Sequence, residues 1–125
     1  MAMLDASALV ALLWEEPGGE SVEALLPGSV ISTVNWAEVL QRYHAAGVPT
    51  QGKQESIEGL GVRIEPFTSE DAELAAALWP STRSTGLSLG DRACLALASR
   101  LGVTAHTADQ IWGSLDLGVA VELIR

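Results

Sequence analysis

Apolar residues recur along this chain at two spacings, and the changes between them predict its elements. Met3 and Leu4 form a short apolar pair before Asp5, and in ASALVALLWEE residues Ala8, Leu9, Leu12 and Leu13 fall at helical spacing. The pattern predicts a very short strand and then a helix over 6–16, stopped by Pro17, Gly18 and Gly19. A second short helix is predicted over 20–26, ahead of Pro27 and Gly28. Val30 and Ile31 read as strand, and Ser32 or Thr33 can cap a helix over 34–46 whose inward stripe is Val34, Ala37, Leu40 and Tyr43. Residues 50–60 are weakly amphipathic, anchored by Ile57 and Leu60, and read as helix, whereas Val62, Ile64 and Phe67 alternate with Arg63 and Glu65 as a strand does.

Ser69 then caps EDAELAAALW, whose acidic first turn suits the positive end of the helix dipole, and Pro80 ends it. Beyond a polar loop, DRACLALASRL is apolar on nearly every side up to Gly102, which predicts a helix buried between the sheet and a second cover, such as another subunit. Residues 103–107 read as strand, 109–112 as a turn or short helix, and 119–124 as a last strand. Strands alternating with helices predict a three-layer α/β fold with a mostly parallel central sheet of four to five strands, in one domain spanning 1–125.

Composition narrows the function classes. With 48% hydrophobic and 18% charged residues the chain can bury a core, which excludes disorder. The 16 Asp and Glu against 7 Lys and Arg leave a net charge of -9, which argues against non-specific coating of DNA or anionic membrane. Cys94 is the one cysteine, so neither an intramolecular disulfide nor a cysteine-rich zinc site is available. The start MAMLDASALVALLW lacks a basic stretch and Asp5 interrupts its apolar run, so no membrane insertion and a cytoplasmic location are expected.

In an open parallel sheet the ligand site lies beyond the carboxyl ends of the strands. Asp5 directly follows the first predicted strand, Asp109 lies two residues past 103–107, Glu38 stands in the second turn of the helix after Val30 and Ile31, and Asp91 opens the buried helix. Four carboxylates about 5 Å apart would repel by roughly 3 kcal/mol per pair at an effective dielectric near 20. A convergent set must therefore be protonated or hold a divalent cation, and oxygen-only ligation favours Mg2+ or Mn2+ over zinc. Such ions suit clamping a phosphodiester and activating a water. Each acid also has a plain structural role open to it. Asp5 can cap its helix, Asp91 can complete a Ser88–Asp91 capping box, Asp109 can make an Asx turn, and Glu38 can pair with Arg42. Their common position at one end of one sheet is what four independent caps do not require.

The blocks LDASALVALLWEEPG, ISTVNWAEVLQR, GLSLGDRACLALASRLG and VTAHTADQIW, with the ending VELIR, resemble the acidic blocks of PIN-domain ribonucleases, specifically the VapC-type toxins of prokaryotic toxin–antitoxin pairs. The resemblance implies a PIN-like fold and a metal-dependent endoribonuclease. It carries the metal-binding and catalytic roles onto Asp5, Glu38, Asp91 and Asp109, with Mg2+ or Mn2+ as cofactor, and places the hydroxyls of Ser7 and Thr107 behind the metal-binding acids. It also implies an RNA substrate, a cognate VapB-type antitoxin and a homodimer. Arg42, Lys53, Arg83 and Arg92 are the bases nearest the rim in sequence and are candidates for RNA contact, with pairing of Arg42 to Glu38 and of Arg92 to Asp91 as the alternative. Trp14, Trp36, Trp79 and Trp112 read as core or subunit contacts, and His44 and His106 lack zinc spacing. Two other functions compete. A catalytically idle PIN fold could act by binding alone, and a phosphoacceptor receiver domain would need a lysine after its last strands, where this chain has none beyond Lys53.

Overall fold

Met3, Val30 and Ala105 pack on one side of a sheet, while their neighbours Leu4 and Ile31 pack on the other, so the two-residue period of the strands builds two separate cores. The computed structural model describes all 125 residues. Its strands are β1 (Ala2–Leu4), β2 (Ser29–Ser32), β3 (Val62–Glu65), β4 (Thr104–Thr107) and β5 (Val121–Leu123), all parallel, in the order β3-β2-β1-β4-β5. Residues Met3 and Leu4 stand opposite Val30 and Ile31 on one side and Ala105 and His106 on the other. The chain winds from β1 toward β3, then returns to the other side of β1, which makes the gap between β1 and β4 the switch point where α/β sheets place ligands.

The helices are α1 (Ala6–Leu13), α2 (Gly19–Glu23), α3 (Thr33–Ala45), α4 (Lys53–Gly59), α5 (Ser69–Ala77), α6 (Trp79–Thr82) and α7 (Leu89–Leu101), with 3-10 turns at Arg83–Thr85 and Gln110–Ser114. One core joins Leu4 and Ile31 to Leu9, Val22, Val39 and Ile57 of the first four helices. The other joins Met3, Val30 and Ala105 to Cys94, Leu95 and Leu97 of α7. This is the three-layer α/β arrangement expected from the pattern, with five strands.

Several boundaries differ from the sequence reading for physical reasons. Helix α1 ends at Leu13, because Glu15 turns left-handed at φ 53° and reverses the chain before Pro17. The buried side of α3 is Trp36 and Val39, flanked by Leu40 and Tyr43, and Ala37 is exposed. Strand β3 stops before Phe67, whose N–H donates to the Thr33 hydroxyl (3.1 Å) instead of to a ladder. Thr68, not Ser69, caps α5, in a reciprocal box with Asp71. Pro80 opens α6, where its missing N–H costs nothing.

Helix α7 is fully buried from Ala93 through Ala98, as its all-round apolarity predicts. Its cover comes from this chain: the Arg100 guanidinium grips the fully buried Asp71 of α5 through Nε (2.6 Å) and Nη2 (3.0 Å). Hydrogen bonds from Arg100 and from the Thr68 backbone hold the Asp71 carboxyl below its ordinary range despite its burial. Asp71→Ala is therefore expected to lower the unfolding free energy by about 3 kcal/mol in urea titrations near neutral pH, since it strands Arg100 and removes a cap together.

Candidate active site

Asp5 is the first residue after β1 and only 4% exposed. Its own N–H still donates to His106 O (3.1 Å), which fixes the backbone at the β1–β4 gap, and its Oδ1 caps α1 by accepting from Ala8 N (2.8 Å). The Ser7 hydroxyl donates to Oδ1 (2.7 Å) and the Thr107 hydroxyl to Oδ2 (2.5 Å). Those hydroxyls are themselves fixed, because Ser7 accepts from Ala108 N (2.9 Å) and Thr107 from Asp109 N (3.0 Å). The end of β4 thus orients the carboxylate at the end of β1 through two hydroxyl relays. Burial outweighs these donors, and with a further push from Asp91 the Asp5 carboxyl is raised from 3.8 to about 6.

Asp91 lies in the first turn of α7, where its Oδ2 accepts from Ser88 N (2.9 Å) and completes the capping box. Glu38 reaches the same turn from α3. Asn35 Nδ2 donates to Glu38 Oε1 (2.8 Å) and to Gly90 O (2.9 Å), so one amide ties α3, the Glu38 carboxylate and the start of α7 together. A Cβ on Gly90 would stand 2.6 Å from Glu38 Oε2, so the carboxylate lies against the bare glycine Cα. Burial drives the Cys94 thiol well up, and the charges of Asp5, Asp91 and Glu38 add to the shift. Asp109 is different. It is exposed, and its Oδ1 accepts from Ile111 N (3.1 Å) at the head of the Gln110–Ser114 turn.

The plain roles foreseen for Asp5, Asp91 and Asp109 are therefore all realised as caps. The one foreseen for Glu38 is not, because Arg42 turns to Glu16 (3.4 Å) instead. Every ion pair lies elsewhere: Arg42 and Arg125 on Glu16, Arg63 on Glu65, Arg100 on Asp71, and His106 facing Glu122. No basic side chain neutralises Asp5, Glu38, Asp91 or Asp109. An oxygen-only, uncompensated set of this kind suits a hard divalent cation. As arranged, however, no group of three or more His, Cys, Asp or Glu side chains is close enough to hold one. Of the bases singled out in sequence, Arg42 alone lines a groove with Ser7 and Glu38. Lys53 lies over the Tyr43 ring and Arg83 over the Trp79 ring. Arg92 donates to Ala75 O (2.9 Å) and pairs with no acid. Asn35 and Gly90 are missed by sequence reasoning that looks for acids. The signal for Gly90 is a glycine inside a helical pattern, which usually marks close packing.

Two outcomes follow from this geometry. Because the folded Asp5 carboxyl sits above its ordinary value, the cost of charging it is absent below about pH 4 and complete above about pH 6, so metal-free stability falls as pH rises through that window. Asp5→Asn is expected to be more stable than the parent near neutral pH in EDTA, by about 1–3 kcal/mol, and to lose that pH dependence in urea titrations. Gly90→Ala is expected to preserve thermal stability, since Ala favours the helix, while displacing Glu38 and weakening Mn2+ binding by roughly tenfold in a calorimetric titration.

Comparison with known proteins agrees with this fold. A PIN-domain family model matches residues 2–116. No curated protein matches the chain. Among solved structures, a toxin–antitoxin complex from Klebsiella pneumoniae is 20% identical with a TM-score of 0.76, covering 100% of this chain and 98% of that one. FitAcB from Neisseria gonorrhoeae is 24% identical with a TM-score of 0.67, covering 97% and 96%. VapC20 from Mycobacterium tuberculosis, described as a sarcin–ricin loop cleaving toxin, is 17% identical with a TM-score of 0.73, covering 91% and 94%. With the family model spanning nearly its whole length and the acids of its sheet edge set as described, this protein belongs to the PIN-domain family.

Proposed function

We propose that the protein is a divalent-metal-dependent endoribonuclease of the VapC type, the toxin of a type II toxin–antitoxin pair. The observation that carries this reading is the buried Asp5 carboxylate at the β1–β4 switch point, with Asp91 near enough to push its pKa up further, Glu38 against the Gly90 that precedes Asp91, and no cationic side chain paired with any of them. Asp5, Asp91 and Asp109 would hold Mg2+ or Mn2+, with Glu38 completing the set. This requires the exposed Glu38 and Asp109 side chains to turn inward from their present partners. A cation bound there would supply charge stabilisation at the phosphate and lower the pKa of a water. The chain's own residues do the positioning: Ser7 and Thr107 aim Asp5, and Asn35 with Gly90 keeps Glu38 beside the first turn of α7, from which it would turn to a cation.

The similarity to a sarcin–ricin loop cleaving toxin and to toxin–antitoxin complexes supports an RNA substrate and a small VapB-type antitoxin as partner. We place the protein in the cytoplasm as a homodimer. No helix is long and apolar enough to cross a membrane. A second reading, a catalytically idle PIN fold that acts by binding, is favoured by one observation: Asp5, Asp91 and Asp109 serve as caps, and no three acids stand together as a ready metal group.

One assay separates the two. With total RNA and Mg2+, mapping of new 5′ ends is expected to show discrete cuts that fall at least about a hundredfold in Asp5→Asn and in Asp91→Asn. Equal cleavage in EDTA, or none by the parent protein with either metal, overturns the proposal.

A further inference from the structure

A groove of about 520 Å3 runs between α1 and α3, with Ser7 on one wall and Glu38, Gln41 and Arg42 on the other. These three α3 residues lie at i, i+3 and i+4, so they form one helix face, and the guanidinium follows the acid by about one turn, ~5.4 Å along the axis. Glu16 and Arg125 line the same groove. The groove therefore joins Ser7 and Glu38, which flank the acid site, to two arginines.

The arginines are held in place but weakly neutralised. The Arg42 guanidinium lies 5.1 Å over the Trp14 ring, which is braced by Tyr43 at 4.6 Å. Arg125 Nη1 donates to Pro17 O (2.8 Å). Glu16, set just past the left-handed Glu15, serves both: Oε2 is 3.4 Å from Arg42 and Oε1 is 3.8 Å from Arg125. Both distances exceed those of a tight charge-assisted bond. The three side chains are 47%, 37% and 31% exposed for Arg42, Arg125 and Glu16, so water screens what attraction remains. Among the other bases, Arg100 and Arg63 have carboxylate partners, Arg92 is tied to a carbonyl, and Arg83 and Lys53 lie over rings. A phosphodiester spreads one negative charge over two non-bridging oxygens that can meet a guanidinium fork together, whereas Glu16 gives each arginine a single oxygen at these distances.

We infer that the α1–α3 groove seats the RNA strand beside the cleaved linkage, with the neighbouring phosphate on Arg42 and Arg125, and that Glu16 is the counter-ion this phosphate displaces. The inference rests on the ribonuclease reading and adds to it a substrate subsite, its two cationic residues and a carboxylate that competes with the substrate. An acidic segment of a partner protein would meet the same arginines, but the groove is continuous with Ser7 and Glu38, where a strand being cut must pass.

The test is binding of a short fluorescent single-stranded RNA by anisotropy in EDTA, where no metal-dependent cut occurs, with melting curves to confirm folding. Parent binding is expected to show a shallow salt slope, equivalent to ~2–4 phosphate contacts per subunit. Arg42→Gln and Arg125→Gln are each expected to weaken binding about three- to tenfold and to reduce the contact number by ~1. Glu16→Gln is expected to tighten binding about threefold, the opposite sign, because it releases both guanidiniums. In the Mg2+ cleavage assay the arginine variants are expected to raise KM with kcat unchanged.

Unaltered RNA affinity in the double arginine variant, or weaker binding in Glu16→Gln, overturns the inference. So does loss of binding to a hexaglutamate probe with RNA binding intact, which would make the groove a protein-docking surface. The two readings fail separately. Cleavage that is indifferent to Arg42 and Arg125 removes the subsite alone, whereas RNA binding with these trends but no cleavage removes the nuclease and leaves the groove.

Discussion

A buried carboxylate at the end of the first strand is the constraint around which this protein is arranged. Asp5 cannot keep its charge in the interior without donors, and the fold supplies three at once: the α1 backbone at Ala8, and the hydroxyls of Ser7 and Thr107. Each donor comes from a different obligation of the chain. Helix α1 must begin where β1 ends, Ser7 must stand in its first turn, and β4 must lie beside β1 so that Thr107 meets it. Even so, burial leaves the carboxyl raised to about 6, so the site keeps a deficit of positive charge. Burying the charge costs stability at this residue. A fold selected only for stability would have a neutral side chain there.

The second half of the site depends on helix α7, which is buried so thoroughly that its position is set by packing on both sides. The sheet takes Cys94, Leu95 and Leu97, while the Asp71–Arg100 pair brings α5 over the outer side. With the helix axis held, its first turn becomes a fixed platform. Asp91 is then placed by the capping box with Ser88, and Gly90 leaves room for Glu38 to reach across from α3. Asn35 joins the two helices at that point, and its buried Oδ1 has no protein partner. The acids at this edge of the sheet thus come from three elements that share no local sequence, with Asp109 on a fourth.

How much of this was legible beforehand varies with the range of the interaction. The short apolar pairs of β1 and β2, the alternation in β3, the apolar run of α7 and the turn residues around 17–19 and 27–28 are local signals, and the strands and helices they predict are present with five strands in parallel. Boundaries moved where a single contact decided them, as when Thr68 rather than Ser69 found Asp71, or when Glu15 turned left-handed and ended α1 early. The positions of Asp5, Glu38 and Asp91 on one rim followed from the rule that strand ends point one way in a parallel sheet.

Partner choice was not legible. Arg42 stands four residues from Glu38, yet its guanidinium lies on Trp14 and Glu16, because ring stacking and a carboxylate from the α1 turn outcompete an exposed helical pair. Arg125 joins the same groove across more than a hundred residues. By itself, then, the sequence determined the layers, the element order and which acids end the strands, since period and chain polarity are properties of neighbouring residues. Only the tertiary structure decided which acid is buried, which are caps, and which arginines line the α1–α3 groove, since those depend on the desolvation and competition that arise when distant segments meet.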